Sequence, residues 1–283
     1  MSVSIAEALR QASRVLDQAG VAEARREAGL LLSHVTGRDR TFLISHAEDQ
    51  VNEDDWKRFE DAIVRRAAGE PSQYITGVQD FFGRTFRVTP DVLIPRPETE
   101  LLVEAALAVM NANAVVCDVG TGSGCIAVTL LCERSDARAV AIDVSEAALE
   151  VARQNARELL VEPRIEFVRS DCFDELKPET SQFDLIVSNP PYVAANMLPG
   201  LQREVRDHEP KIALSPGPDG LSVIRRLMVE APGFIRGNGH LLMEIGFDQG
   251  ETVQQLIDKN VWTLQSIVPD LQGIPRIVVL RKH

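Results

Sequence analysis

The 283-residue chain carries 30 Lys and Arg against 42 Asp and Glu, a net charge of −12, with 45% hydrophobic and 25% charged residues. These are ordinary globular values, and the length allows one large domain plus a small one. The acidic balance, most of it beyond residue 70, weighs against a broad grip on duplex nucleic acid, which would call for a basic face.

Two further exclusions follow from pattern. No run of about 18 apolar residues occurs, which argues against a helical membrane span. The first residues, MSVSIAEALRQASRVLDQ, lack the apolar stretch of a signal peptide, so a cytoplasmic protein is expected. Cys117, Cys125, Cys132 and Cys172 form no CxxC pair and read as free thiols, three of them in apolar surroundings. There is no internal repeat and no low-complexity tract.

Residues 1–70 read as a small domain of short amphipathic helices. Ile5, Leu9, Val15 and Leu16 form one rough stripe, and Ala24, Ala28, Leu31 and Leu32 a second. A third helix is predicted over Asp54–Ala68, with Trp56, Phe59, Ile63 and Val64 on its apolar side. Asn52 or Glu53 is its start, and Gly69 with Pro71 its stop. Residues 71–96 change character: β-prone Phe81, Phe82, Phe86, Val88, Val92, Leu93 and Ile94 are punctuated by Gly77, Gly83, Pro90 and Pro95. That pattern predicts a hairpin linker without helix. Arg96 to Leu101 then opens a helix, with Pro97 in the first turn and Glu98 and Glu100 at its positive end.

Residues 97–283 alternate strand and helix. Strands are predicted near Ala114–Asp118, Arg138–Ile142, Arg164–Val168, Phe183–Ser188, His240–Ile245, Trp262–Val268 and Pro275–Leu280. Helices are predicted near Cys125–Glu133, Ser145–Leu160, Asp219–Ala231 and Phe247–Lys259. Such alternation implies an α/β fold with a mostly parallel sheet covered on both faces. The stretch Pro269 to Ile274 is too short for a crossover helix, so the last two strands should pair antiparallel.

Three signals carry chemistry. Asp118-Val119 leads into Gly120-Thr121-Gly122-Ser123-Gly124, between a strand and a helix. Glycine at alternating positions lets the backbone turn sharply and approach a ligand closely. The spacing is neither the dinucleotide GxGxxG nor a P-loop. Asp143 ends the next strand, where a carboxylate can accept from both ribose hydroxyls of a nucleoside. Asp171-Cys172 follows the third strand and would flank the base.

The third signal, Ser188-Asn189-Pro190-Pro191-Tyr192, follows the fourth strand. Two prolines fix φ, remove two donors and keep Asn189 out of the helical region. Asn189 then offers a side-chain carbonyl and Pro190 a main-chain carbonyl, two acceptors suited to the two hydrogens of an NH2 group. Tyr192 offers a flat face for a planar amide or base.

With these in place the chain resembles the seven-stranded, Rossmann-like S-adenosylmethionine-dependent methyltransferases. More closely it resembles the HemK/PrmC group, the release factor glutamine N5-methyltransferases. The loop and NPPY are shared with adenine-N6 methyltransferases. The IPRPETE segment (Ile94 to Glu100), Glu204 to Pro210, Ala213-Leu214 and Asp219-Gly220-Leu221 are the more specific parts.

The resemblance implies S-adenosyl-L-methionine as cofactor, held by Gly120, Thr121, Gly122, Ser123, Gly124, Asp143, Asp171, Cys172 and Asn189. It implies that Asn189, Pro190, Pro191 and Tyr192 hold the substrate glutamine, with Asn189 and Pro190 acting on its amide. Cys172 departs from the large aromatic of the family, which would loosen adenine packing. The implied substrate is the Gly-Gly-Gln loop of class I peptide release factors, docked by the N-terminal helices. The rivals are a ribosomal-protein glutamine methyltransferase and an adenine-N6 DNA or RNA methyltransferase. No base is evident; His208 is the nearest candidate in sequence and reads better as structural.

Overall fold

The computed structural model describes residues 3–283. The described chain forms two units, one running to Val78 and taking in Gln202–His208, the other comprising Gln79–Leu201 and Glu209–His283.

In the first unit β1 (Val3–Ser4) pairs antiparallel with β2 (Gln50–Val51) beside helices α1 (Ile5–Gln18), α2 (Ala24–Thr36), α3 (Arg40–Ser45), α4 (Glu53–Ala67) and α5 (Ser72–Thr76). The Ser4 side chain caps α1 and Asn52 caps α4, each accepting from a backbone N–H of the first turn. Acids Glu53, Asp54 and Asp55 open α4 and Arg65 and Arg66 close it, matching the helix dipole.

The apolar stripes sit slightly differently from expectation. Ile5, Ala8, Ala12 and Leu16 are the buried face of α1, and Val15 is 44% exposed. On α4, Val64 is 66% exposed and Ala62 and Arg66 join Phe59 and Ile63 inside. Small alanines let the helices approach, a signal that a search for large apolar residues passes over. Arg66 is buried because its guanidinium bonds to Glu27 at 2.7 Å and Glu204 at 2.5 Å.

Residues 71–96 are not free of helix, since α5 opens the segment; Gly77 then stops it in the left-handed region at φ 75°. The hairpin follows, as β3 (Val78–Phe81) and β4 (Arg84–Arg87).

The second unit continues with α6 (Glu100–Val109), β5 (Val115–Val119), α7 (Cys125–Glu133), β6 (Arg138–Asp143), α8 (Glu146–Glu158), β7 (Ile165–Arg169) and β8 (Phe183–Ser188). After α9 (Arg203–His208), which belongs to the first unit, come α10 (Lys211–Leu214), α11 (Ser222–Phe234), β9 (Ile235–Glu244), α12 (Gly250–Leu256), β10 (Trp262–Pro269) and β11 (Pro275–Lys282).

The seven-stranded sheet has the order β10-β11-β9-β8-β5-β6-β7. Strands β5 to β9 run parallel, and β11 is antiparallel to both β9 and β10, as the short connection required. Alternate residues of each central strand enter opposite cores: Val116, Leu185 and Leu242 on one face, Cys117, Ile186 and Leu241 on the other. Burial of each such Val, Leu or Ile side chain contributes about 1.5–3 kcal/mol. Among the described residues no helix is long and apolar enough to cross a membrane.

The bounds of two predicted helices shift. The helix expected from Asp219 begins at Ser222, because Gly220 holds φ 71° and Asp219 accepts from the Leu221 N–H in a turn. It also runs past Pro232. Proline removes the donor that would reach the carbonyl four residues back, that of Met228, and the Trp262 indole N–H supplies a donor instead at 3.0 Å. The helix expected from Phe247 is shorter, starting at Gly250. Strand β9 starts earlier than predicted, at Ile235, through an irregular pairing with β8.

Candidate active site

The chain runs β5, β6, β7 outward along one side of the sheet, then returns to place β8 on the other side of β5. The connections therefore diverge at β5 and β8, leaving a crevice at their carboxyl ends. The glycine loop follows β5 and the NPPY segment follows β8. The Ser188 hydroxyl donates to the Val119 carbonyl at 2.7 Å, tying the two strand ends together.

Gly120, Gly122 and Gly124 take φ of 74°, 55° and 79°, a left-handed path open to glycine. A Cβ on Gly124 would also lie 3.1 Å from the Ala152 Cβ, so the loop packs closely on α8. Asp118 holds the loop from beneath. Its Oδ2 accepts from the Thr121 hydroxyl at 2.7 Å and the Ala127 N–H at 3.2 Å. Burial pushes this carboxyl up to about 7. Asn155 on α8 adds a second brace, donating to the Ser123 carbonyl at 2.8 Å and the Arg87 carbonyl at 3.1 Å. Neither Asp118 as a brace nor Asn155 is legible from the sequence pattern.

A cavity of about 380 Å³ occupies the crevice, within the range of about 300–1,000 Å³ usual for small-ligand sites. Its walls include Gly120, Thr121, Gly122 and Ser123 on one side, with Asp143, Asp171 and Cys172 beyond them. Asn189, Pro190 and Pro191 line it from β8, so the structure brings the three sequence signals to one cavity. Gly124 and Tyr192 are not on its wall. Tyr192 packs into the core behind, its hydroxyl 3.4 Å from Glu244 Oε1 and its carbonyl accepting from Gln249 Nε2 at 3.0 Å. His208 ends α9, in the first unit.

Asp143 receives one backbone N–H on each carboxylate oxygen, from Gly122 and from Ser145, both at 2.9 Å. Each oxygen retains acceptor capacity for a further hydroxyl. Burial raises this carboxyl, and the N–H donors oppose that shift. Asp171 Oδ1 is engaged by Arg226 at 2.8 Å. Cys172 is buried at φ 48°, an uncommon backbone for a non-glycine residue, and burial holds its thiol at about 11. A glycine cradle, an acid with spare acceptors and an apolar flank fit a nucleoside with a flexible polar tail.

Around Asn189 the cavity wall is polar and oriented. Asn189 Nδ2 donates to Thr99 Oγ1 at 3.0 Å, and Thr99 Oγ1 donates to Glu244 Oε2 at 2.7 Å. Among the described residues no hydrogen bond ends on Asn189 Oδ1 or the Pro190 carbonyl. Arg96 also lines the cavity and pairs with the buried Glu209 at 2.5 Å. Thr99, Glu244 and Arg96 were not named as site residues from sequence. Thr99 and Arg96 lie in the family-specific segment Ile94–Glu100, the one signal that pointed to them. Nothing in the apolar strand ending at Glu244 did.

Residues 7–77 match the family described as the PrmC N-terminal domain, and residues 97–201 the methyltransferase small domain. Over 282 residues the chain is 43% identical to a release factor glutamine methyltransferase of Koribacter versatilis, covering 99% of each. It is 48% identical over 276 residues to one of Cereibacter sphaeroides, covering 98% of each. A methyltransferase crystal structure from Pyrococcus furiosus shares the fold, with a TM-score of 0.53 at 15% identity over 79% of this chain and 98% of that one. By its full-length likeness to these relatives, the chain belongs to the release factor glutamine methyltransferase family.

Proposed function

We infer that this protein transfers a methyl group from S-adenosyl-L-methionine to the side-chain amide nitrogen of the glutamine in the Gly-Gly-Gln loop of class I peptide release factors. The observation that carries the reading is the pair of open acceptors, Asn189 Oδ1 and the Pro190 carbonyl, in the same cavity as the glycine loop and Asp143. Family membership supports the substrate class.

Gly120 to Ser123 would hold the cofactor by backbone contact, Asp143 would take its ribose hydroxyls, and Asp171 with Cys172 would flank its base. When bound, the cofactor supplies a methyl group already activated by a positive sulfonium. The chain's own task is positioning and charge placement. An amide nitrogen is a poor nucleophile because its lone pair is shared with the carbonyl. Asn189 Oδ1 and the Pro190 carbonyl each accept one N–H of the substrate amide and draw it toward a pyramidal nitrogen. As positive charge develops on that nitrogen both acceptors bind it more strongly, so they favour the transition state over the ground state. Pro191 stiffens the loop, and Tyr192 anchors its end through Gln249.

The first unit would dock the release factor. A groove of this unit is lined by Leu9, Leu30, Leu43 and Ile44 with Arg14 and Arg40, and Leu30 and Ile44 are exposed.

The test is methyl transfer from labelled S-adenosylmethionine to a purified release factor, to its loop Gln→Asn variant, and to duplex DNA. Label on the native factor alone is expected. Label on DNA, or on neither, would overturn the substrate.

A further inference from the structure

We propose that Glu244 is a positioning residue: acting through Thr99, it sets the orientation of the Asn189 amide so that Oδ1 faces the cavity. The inference rests on the reading above, in which that oxygen receives the substrate N–H.

Hydrogen counting fixes the orientation. Thr99 has one hydroxyl proton, and an ionised carboxylate only accepts. With Thr99 Oγ1 2.7 Å from Glu244 Oε2, that proton is committed to Glu244. The hydroxyl oxygen can then only accept from Asn189, which must present Nδ2, found at 3.0 Å. Turning the amide over would set Oδ1 against a hydroxyl with no proton left to give. Thr99 is 2% exposed and Glu244 1%. An unmade hydrogen bond at that depth is costly enough to hold one amide orientation over the other.

The polarity reverses when Glu244 takes up a proton. A neutral carboxyl can donate to Thr99, Thr99 can donate to Asn189 Oδ1, and the flipped amide consumes the acceptor. Around Glu244 stand the Tyr192 hydroxyl, Arg276 on β11, Glu98 in the turn before α6 and the Cys125 thiol on α7. Burial raises this carboxyl to about 7, Thr99 and Arg276 pull it down, and Glu98 pushes it up. Ionised Glu244 therefore prevails above neutrality, and the reversed chain below it.

The test compares wild type with Thr99→Ser, Thr99→Val and Glu244→Gln across pH, measuring kcat, KM for both substrates and cofactor Kd. Thr99→Val should lower kcat by about tenfold to a hundredfold with cofactor Kd nearly unchanged, as expected of misplaced contacts. An acidic limb near pH 7 should be present in wild type and Thr99→Ser, and absent from Thr99→Val and Glu244→Gln. In isotope-labelled wild type, the Asn189 side-chain NH2 resonances should titrate over the same range and cease to do so in Thr99→Val. A Thr99→Val enzyme at wild-type rate, a limb that survives Glu244→Gln, or NH2 resonances that do not titrate would overturn the positioning role. A wild type that leaves the release factor unlabelled would instead overturn the substrate reading, and the resonance titration would still decide the relay.

Discussion

The Gln249 side chain clamps the Tyr192 carbonyl: its Nε2 donates to that oxygen at 3.0 Å and to the Gly220 carbonyl at 3.3 Å, while its Oε1 accepts from the Gly246 N–H at 2.9 Å. Two loops and the end of β9 thus meet on one buried amide. Gly220 completes the fit, since a Cβ there would fall 2.3 Å from the same Tyr192 oxygen. Gln249→Leu is expected to cost about 1–3 kcal/mol for the polar groups left unpaired, and to lower kcat while cofactor Kd changes little. Denaturant unfolding and calorimetric binding check both halves; equal loss of cofactor affinity would show that the clamp does not act on the NPPY segment.

Asn189→Ala removes the side-chain acceptor and keeps the proline loop. Loss of one oriented polar contact to a transition state costs about a hundredfold to a thousandfold in kcat. Cofactor binding should stay close to wild type, because the glycine loop and Asp143 are untouched. Parallel kcat and Kd measurements separate the two roles, and a matching fall in cofactor affinity would contradict them.

Glu244 also carries a stability prediction. Its carboxyl is raised from 4.5 to about 7, so between those values the folded state holds a proton that the unfolded state releases. Stability from this group is therefore greatest below about pH 4.5 and falls as pH rises through 7, by an amount on the order of 3 kcal/mol at most. Glu244→Gln removes that dependence. Its Tm should exceed wild type at about pH 8 and converge with it toward pH 4.5, despite the lower turnover. A Tm below wild type at alkaline pH would show that the ionised pairings outweigh the burial cost.

Leu30→Asp with Ile44→Asp alters the groove of the first unit at exposed positions. The double variant should raise KM for the release factor by about tenfold, the effect of losing roughly 1.4 kcal/mol of binding, and leave KM for the cofactor unchanged. An unaltered protein KM would remove this groove from docking.

Much of this protein was legible in one dimension because the signals are local. Strand–helix alternation, the glycine loop, Asp143 and the paired prolines each depend on a few neighbouring residues, and periodicity with backbone sterics is enough to place them. The short link between β10 and β11 likewise dictated antiparallel pairing. The tertiary structure decided what depends on distant partners. Gly220 moved a helix start because its backbone fits under Tyr192, 28 positions away in sequence. Pro232 stayed inside a helix because Trp262 supplies the missing donor. Thr99, Asn189 and Glu244 come from three separate segments, and a hydrogen-bonded chain leaves no trace in periodicity. Local sterics set where the chain turns, but only packing sets which buried polar groups meet, and in this site that meeting orients the amide.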